Sequence, residues 1–249
     1  MTFGGAFSNH IYATAAAGKR FGLPAIGVIR GERPDILNPT LAFAESCGMQ
    51  LLFVDRSTYR LKNEAHFQNQ LRQRFGNAYI LPEGGTNALA LKGCSEIVDD
   101  VVTQIPDIKM DYWAAACGTG GTLAGIIQGL AAHQQAIGIA ALKGNWMQQE
   151  IEKHLAESKK NVLCSWQIQT NYHHGGYAKF TPQLIDFINQ FKRDFEISLD
   201  PIYTGKLFFA IWDLLQNGFF PKGSTICILH TGGLQGIAGF NERFGDLIA

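Results

Sequence analysis

Short apolar runs alternate with amphipathic stretches along almost the whole chain, and this alternation limits the fold more than any other feature. A strand, a helix and a further strand in repeated order are typical of a parallel sheet covered by helices. Predicted strands cover residues 25–30, 50–54, 78–81, 112–116, 136–141, 162–169 and 225–229. Predicted helices cover residues 9–21, 38–47, 61–75, 91–104, 123–133, 147–156, 182–191 and 205–217. The sequence therefore predicts an α/β fold.

A run of turn residues, Pro-Glu-Gly-Gly-Thr-Asn at positions 82–87, interrupts this order. Such a run does not continue a helix or a strand, so we expect a small domain over residues 1–84 and a large domain over residues 85–249. The first three residues run directly into Gly4-Gly5, whereas strands usually have about five residues. On this ground we expect the N-terminal part of the fold to be missing from the sequence.

Charge and cysteine content narrow the class of ligand. Lys plus Arg and Asp plus Glu both number 21, so no net field attracts nucleic acid or an anionic membrane. Five cysteines stand singly, which argues against a disulfide framework and favours a reducing cytoplasm. No apolar run reaches the length of a membrane span, about 18 residues. A small molecule is the expected ligand.

The segment Cys-Gly-Thr-Gly-Gly-Thr at positions 117–122 lies between a predicted strand and a predicted helix. There it would direct backbone N–H groups and hydroxyls to one point at a helix N-terminus, which is an anion-binding arrangement. It is not a dinucleotide-binding GxGxxG motif, because Leu123 replaces the last glycine, and no GK[ST] follows as in a P-loop. A turn selected only for tight packing is the alternative. As an anion site, the segment indicates a phosphorylated cofactor other than a nucleotide.

Three other segments carry candidate binding residues. Ser-Asn-His at positions 8–10 starts a predicted helix. These residues can cap the helix, or the N–H groups at its start can bind a carboxylate. Asp-Pro-Ile-Tyr-Thr-Gly-Lys at positions 200–206 precedes another helix, either as an ordinary helix start or as part of a site. His-Thr-Gly-Gly at positions 230–233 closes the last strand, where ligands of open α/β sheets usually bind. The pair His173-His174 lacks the further spacing of a metal site, so we predict a loop at the cleft and no metal.

Taken together and in chain order, these segments resemble one family. The motifs are Gly-Gly-Ala-Phe-Ser-Asn-His, Pro-Glu-Gly-Gly-Thr-Asn, Gly-Thr-Gly-Gly-Thr, Asp-Pro-Ile-Tyr-Thr-Gly-Lys and His-Thr-Gly-Gly. They are similar to those of the 1-aminocyclopropane-1-carboxylate (ACC) deaminases and D-cysteine desulfhydrases, fold type II enzymes that depend on pyridoxal 5′-phosphate (PLP). The resemblance runs from residue 4 to about residue 239. It implies two parallel-sheet, three-layer domains of the tryptophan synthase β-like PLP fold, with PLP between the small and the large domain.

The resemblance also implies roles for individual residues. Asn9 would contact the ring oxygen of PLP, and Ser8 would bind the substrate carboxylate or handle a proton. Tyr203 would join Ser8 in catalysis and join Ser8, Asn9 and His10 in binding the substrate. The cofactor-binding residues implied by the resemblance are Asn9, Gly118, Thr119, Gly120, Gly121, Thr122, Thr204 and Gly232.

Thr204 bears on the type of reaction. The resemblance implies that the deaminases have a glutamate at this position, which would keep the pyridine nitrogen protonated. Thr204 resembles instead the residue that the desulfhydrases have there. A neutral hydroxyl favours less complete delocalisation of a carbanion into the ring. The resemblance therefore implies β-elimination on a small D-amino acid, with release of ammonia and a 2-oxo acid. ACC deamination is the alternative within the family, and a homodimer is also implied.

One family feature is absent from the sequence. The Schiff-base lysine of the family stands in a Gly-Asn-Lys segment upstream of the Ser-Asn-His turn, whereas only seven residues precede Ser8 here. Proton transfer at the substrate Cα loses its central group without that amine. We therefore expect a truncated enzyme, at best weakly active, with Lys206 as the one lysine to test as a substitute. The alternatives are a non-catalytic PLP-binding or anion-binding protein of this fold and, with less support, a sugar-phosphate or nucleotide enzyme.

Overall fold

The computed structural model describes residues 1–76 and 78–249. The chain divides into two compact units. The first comprises Met1–Gly85 and Ala238–Gly245, and the second comprises Thr86–Ile237 and Asp246–Ala249. The sequence-based division placed its boundary between residues 84 and 85 and assigned no later residue to the first domain.

Strands and helices alternate through most of the chain. The strands are β1 (Thr2–Gly5), β2 (Ile26–Arg30), β3 (Gln50–Val54), β4 (Tyr112–Cys117), β5 (Gln135–Ala140), β6 (Ser165–Gln169) and β7 (Ile226–Ile228). The helices are α1 (Asn9–Phe21), α2 (Pro39–Ser46), α3 (Arg56–Arg60), α4 (Ala65–Phe75), α5 (Ala88–Gln104), α6 (Gly121–Gly129), α7 (Met147–Ser158), α8 (Pro182–Phe195), α9 (Thr204–Gln216) and α10 (Gly236–Phe244). Short 3₁₀ turns lie at Leu61–Asn63 and Glu83–Gly85.

The first unit has three layers around a parallel sheet with strand order β1-β2-β3. Helices α1 and α2 cover one face, where Ile11 and Ile29 are fully buried. Helices α3 and α4 cover the other face, where Phe3 and Phe67 pack together in a second core. This arrangement places the start of α1 at the carboxyl end of β1.

The second unit repeats this plan around a parallel sheet with strand order β6-β5-β4-β7. Helices α5, α6 and α7 pack on one face around Trp113 and Leu123. Helix α9 packs on the other face, where Leu207 and Ile211 contact Ile137. Because all its strand pairs are parallel, the carboxyl ends of the strands lie at one edge, where ligands of such sheets usually bind. The predicted α/β fold with parallel sheets is confirmed.

Most element bounds agree with the prediction, and the clearest case is α1. It covers the predicted residues because the Ser8 side chain accepts from the N–H of Ile11 at its start and Gly22 (φ +66°) ends it. The predicted helix over residues 61–75 is wrong in its first part, since Glu64 is extended and separates a 3₁₀ turn from α4.

The predicted strand over residues 78–81 is also wrong. Its backbone does bond to the first residue, because Met1 N donates to Tyr79 O and Leu81 N donates to Met1 O. Pro82 follows and has no N–H with which to extend the pairing. Three elements were not predicted, strand β1 and helices α3 and α10. The five cysteines are free, as expected, and none of the helices in residues 1–76 and 78–249 has the length and apolarity that a membrane crossing requires.

Candidate active site

Residues 117–122 connect β4 to α6 at the carboxyl edge of the second unit's sheet. Gly120 adopts the left-handed conformation (φ +82°), and α6 begins at the next residue. The first backbone N–H groups of a helix have no acceptor within the helix, and here they belong to residues 121–123. Gly120 offers no side chain to cap them. We call residues 118–122 the cradle, because the N–H groups at its helix end are available to an anion.

Two glycines of the cradle stand where a side chain would collide. A Cβ atom at Gly121 would lie 2.5 Å from Oγ1 of Thr86, and a Cβ atom at Gly118 would lie 3.1 Å from Cε1 of Tyr203. The surface around the helix N-terminus is therefore formed by backbone with little room for side chains. This fits a phosphate group, which N–H groups at a helix N-terminus bind without a basic side chain.

Two side chains hold the cradle from other elements. Thr86 Oγ1 lies 2.7 Å from Thr119 Oγ1, and His154 Nε2 lies 3.1 Å from the carbonyl oxygen of Thr119. Because a carbonyl only accepts, Nε2 of His154 carries the proton in this contact. The Thr122 hydroxyl, in turn, bonds to the Cys94 thiol, whose pKa burial raises. Neither Thr86 nor His154 was identified from the sequence.

Two tyrosines lie together at the cradle. Tyr203 precedes the first residue of α9 with non-helical backbone angles (φ −124°, ψ −69°), and its ring lies over Gly118. The ring of Tyr177 meets it edge to face, with centroids 6.4 Å apart and planes at 61°. Tyr177 is 47% exposed and was not identified from the sequence. The catalytic role of Tyr203 stays a prediction.

Asp200 fixes the turn that carries Tyr203. Its side chain is 2% exposed and accepts from the N–H groups of Ile202, Tyr203 and Thr204, each at 2.8 Å. The buried Thr204 hydroxyl donates to Asp200 Oδ2 at 2.7 Å and accepts from the Asp200 N–H at 2.8 Å. Pairing of Thr204 with a ring nitrogen stays a prediction, and it requires this hydroxyl to exchange one of its partners.

The His-Thr-Gly-Gly segment follows β7 at the same edge of the sheet as the cradle. His230 Nε2 lies 2.9 Å from the carbonyl of Ser198, and its Nδ1 accepts from the N–H of Gly232 at 3.2 Å. Both contacts fit a neutral imidazole with its proton on Nε2. Gly232 and Gly233 have φ of +83° and +92°, which glycine adopts readily. The position of Gly232 at a cofactor stays a prediction.

Lys206 lies in the interior of the second unit, on α9. It is 0% exposed, and its Nζ donates to the carbonyls of Ala141 at 3.1 Å and Gly176 at 2.8 Å. Burial lowers the pKa of the ammonium to about 8, and the carboxylate of Asp200 opposes this shift. Because the amine is fully buried, it must break both hydrogen bonds to leave the interior and reach a cofactor, which weakens the case for Lys206 as a substitute Schiff-base lysine.

The predicted residues of the first unit lie at the start of α1. Ser8 is the N-cap, Asn9 is the first helical residue, and His10 follows. His10 Nε2 lies 2.6 Å from Oγ1 of Thr2, and a Cβ atom at Gly85 would lie 2.8 Å from Cε1 of the same ring. Burial lowers the pKa of His10, against the effect of the Glu83 carboxylate. Contacts of these residues with cofactor and substrate stay predictions.

His174 belongs to the loop between β6 and α8 that was considered for metal binding. Its Nδ1 lies 2.9 Å from Thr181 Oγ1, and its ring meets the Phe209 ring edge to face. Burial, then the charges of Lys206 and His173, lower its pKa to about 4. Across residues 1–76 and 78–249, no cluster of His, Cys, Asp and Glu is suited to a metal ion.

The wild-type protein is expected to lose stability as the pH falls from about 6.5 towards 4 because of His174. The unfolded chain takes up a proton at His174 near pH 6.5, whereas the folded chain resists it until about pH 4, so acid favours unfolding. The ring is partly exposed, so we expect a loss of about 1 kcal/mol between pH 7 and pH 5. Urea unfolding of wild type and His174→Gln at both pH values measures this, and an equal pH dependence in the two proteins would contradict it.

A helix N-terminus open to a phosphate, at the carboxyl edge of a parallel sheet, defines a phosphate-binding α/β protein. Comparison with known proteins identifies the family within this class. Residues 2–232 match the family described as "Pyridoxal-phosphate dependent enzyme", so the chain belongs to that family. PLP is therefore its cofactor, as predicted, and the cradle fits the phosphate that PLP carries.

Known proteins similar to this chain are named for the same family that its motifs resemble. It is 29% identical over 260 residues to the "Putative 1-aminocyclopropane-1-carboxylate deaminase" of Pyrococcus abyssi, covering 100% of this chain and 78% of the relative. It is 26% identical over 275 residues to the "Bifunctional D-cysteine desulfhydrase/1-aminocyclopropane-1-carboxylate deaminase, mitochondrial" of Arabidopsis thaliana, covering 100% and 67%. A solved structure described as "Crystal Structure Analysis of the ACC deaminase homologue" is similar with a TM-score of 0.83 and 28% identity, covering 99% of this chain and 77% of that one. The predicted resemblance and the tryptophan synthase β-like PLP fold are confirmed.

Proposed function

We propose that this chain binds PLP through the cradle and catalyses β-elimination on a small D-amino acid, with release of the Cβ substituent (sulfide from D-cysteine), ammonia and a 2-oxo acid. The observation that carries this proposal is the open helix N-terminus at residues 121–123 with the Tyr203 ring over Gly118. PLP, when bound, supplies an electron-withdrawing ring that stabilises negative charge at the Cα of an amino acid. The relative from Arabidopsis thaliana is named for desulfhydrase and deaminase activity, so ACC deamination is the alternative reaction.

Each residue of the proposed site has a task that its chemistry allows. The N–H groups and hydroxyls of residues 118–122 bind the phosphate. The Tyr203 phenol lies against the cradle and exchanges a proton with the substrate. At the start of α1, Ser8 binds the substrate carboxylate or handles a proton, and Asn9 donates to the ring oxygen. Thr204 favours elimination over ring opening, because its hydroxyl places no negative charge at the ring nitrogen.

Whether a lysine amine of this chain can react with PLP decides between this proposal and a second candidate function. Covalent catalysis with PLP needs an amine that reacts with the cofactor's aldehyde. None of the lysines in the 249 residues follows a Gly-Asn pair, and Lys206 donates to two carbonyls. These observations favour, as the second candidate, a protein that binds PLP or another anion without catalysis.

Titration with PLP separates the two candidates. Purified protein is titrated while the visible absorption is recorded, then treated with borohydride and digested for peptide mapping. A reduced adduct on a single lysine, together with ammonia release from D-cysteine, would support the enzyme. Saturable binding without a reducible adduct would support the non-catalytic protein. No saturable binding of PLP would contradict the enzyme and limit the second candidate to an anion other than PLP.

A further inference from the structure

A strained loop carries Tyr177. We call residues 173–178, between β6 and α8, the His-Gly loop. Within it His174, Gly175, Gly176 and Ala178 have positive φ angles of 50°, 99°, 117° and 52°. Residues with a Cβ rarely adopt this conformation, because the Cβ crowds the backbone there. Such a loop persists only where the surrounding structure holds it.

The contact that holds the loop comes from the protein interior. Lys206 Nζ donates to Gly176 O at 2.8 Å, and Gly176 is itself buried. The same Nζ donates to the carbonyl of Ala141, the residue after β5, at 3.1 Å. The Gly176 carbonyl also accepts from the N–H of Lys179 at 3.1 Å. One ammonium therefore joins α9, the end of β5 and the middle of the His-Gly loop.

A lysine is an unfavourable residue for this position unless its bonds are needed. Lys206 is fully buried on α9, as are its sequence neighbours Gly205 and Leu207. Removing a charge from water is costly, and an apolar residue of similar size is often tolerated better in such a place. The two bonds to distant carbonyls are what an apolar residue could not supply.

We propose that Lys206 is a positioning residue that holds the His-Gly loop and thereby keeps the Tyr177 ring beside Tyr203. Tyr177 directly follows Gly176, the residue whose carbonyl Lys206 holds. The consequence for ligand binding rests on the proposed function, in which the cradle binds the phosphate of PLP and Tyr203 lies against the cradle. Tyr177, whose ring contacts Tyr203, would then lie near the bound cofactor. Loss of Lys206 should therefore weaken binding of PLP while leaving binding of inorganic phosphate unchanged.

Hydrogen exchange tests the loop without any ligand. In Lys206→Met, which keeps an unbranched side chain only one atom shorter and removes the amine, the amides of the His-Gly loop should exchange about tenfold faster than in wild type, whereas those of α6 should not change. Lys143→Met, at an exposed lysine near the loop, is the matched control and should exchange like wild type. Unchanged exchange of the His-Gly loop in Lys206→Met would overturn the proposal.

Binding measurements test the link to Tyr177. Lys206→Met and Tyr177→Ala should each raise the Kd for PLP about fivefold, the effect of one aromatic contact. The double variant should be no weaker than Tyr177→Ala alone, because Lys206 acts through that ring. Equal weakening of PLP and phosphate binding, or additive effects, would show general support of the fold and overturn the proposal. Failure of wild type to bind PLP would contradict the proposed function, and the exchange experiment would still decide the loop.

A reciprocal variant covers the case in which Lys206→Met does not fold. Gly176→Ala forces a Cβ onto a residue with φ +117°, while the nearest atom, Cβ of Lys143, is 3.5 Å away, so it strains the backbone without a collision. If Lys206 and the loop hold each other, this variant should make Lys206 at least about tenfold more reactive to an amine-acylating reagent. Wild-type reactivity at Lys206 in Gly176→Ala would overturn the proposal.

Discussion

Gly121→Ala is expected to bind PLP about a hundredfold more weakly than wild type, which corresponds to about 2.7 kcal/mol. The added Cβ would lie 2.5 Å from Thr86 Oγ1 and 2.8 Å from its Cγ2. Thr86 must then move, and its hydroxyl loses the 2.7 Å contact with Thr119 that holds the cradle. The N–H groups of residues 121–123 no longer converge on one phosphate. Isothermal titration or quenching of protein fluorescence by PLP measures the loss.

Two further variants separate this effect from general damage. Gly129→Ala changes a residue about two turns further along α6, where the new Cβ would lie 2.7 Å from the carbonyl oxygen of Ser95 and 2.9 Å from Cγ2 of Val98 on α5, away from the cradle. It should lower stability and keep the affinity for PLP. Thr86→Gly, combined with Gly121→Ala, removes the atoms that collide and should recover part of the affinity. Equal loss of PLP binding in Gly121→Ala and Gly129→Ala would contradict a specific role of the cradle.

The parts of the fold that local signals control could be predicted from the sequence. Helix α1 has its predicted bounds because Ser8 caps one end and Gly22 ends the other. Residues 117–122 were placed at a strand-to-helix turn because the motif, the apolar run before it and the helix after it all lie within a short stretch. Residues 78–81 show the limit of this reasoning, since the strand-like bonds described for them go to Met1, far away in the sequence.

The contacts that the sequence did not reveal join segments that are distant along the chain. Lys206 reaches carbonyls 65 and 30 residues away, and nothing in its neighbours indicates that its amine is buried. Tyr177 gains its place from Tyr203 and from a loop whose conformation includes two non-glycine residues with positive φ. Thr204 was assigned to a ring nitrogen by motif alone, whereas its hydroxyl is shared with Asp200. A motif gives the identity of a residue but not the hydrogen bonds that occupy it.

Asp200→Asn is expected to lower the free energy of unfolding by about 3 kcal/mol. The buried carboxylate accepts four hydrogen bonds, two on each oxygen, from Ile202, Tyr203 and Thr204. In asparagine an NH2 group replaces one of these oxygens and faces the two donors that bonded to it. Two hydrogen bonds to a charged acceptor are therefore lost. The change also removes the negative charge that opposes the loss of a proton from Lys206. Urea unfolding at neutral pH measures the difference, and weaker PLP binding should accompany it because Tyr203 is no longer fixed.

Asp55→Asn is the matched control, because Asp55 makes the same kind of cap in an exposed place. It accepts from the N–H groups of Ser57 and Thr58 at the start of α3, and hydrogen bonds from the two hydroxyls hold its pKa well below the usual range. Water can replace the lost bonds there, so the change in stability should be several times smaller than at Asp200. Equal destabilisation at the two sites would contradict the argument that burial makes the Asp200 cap important. A large loss at Asp200 with full PLP affinity would show instead that the cap stabilises α9 without fixing Tyr203.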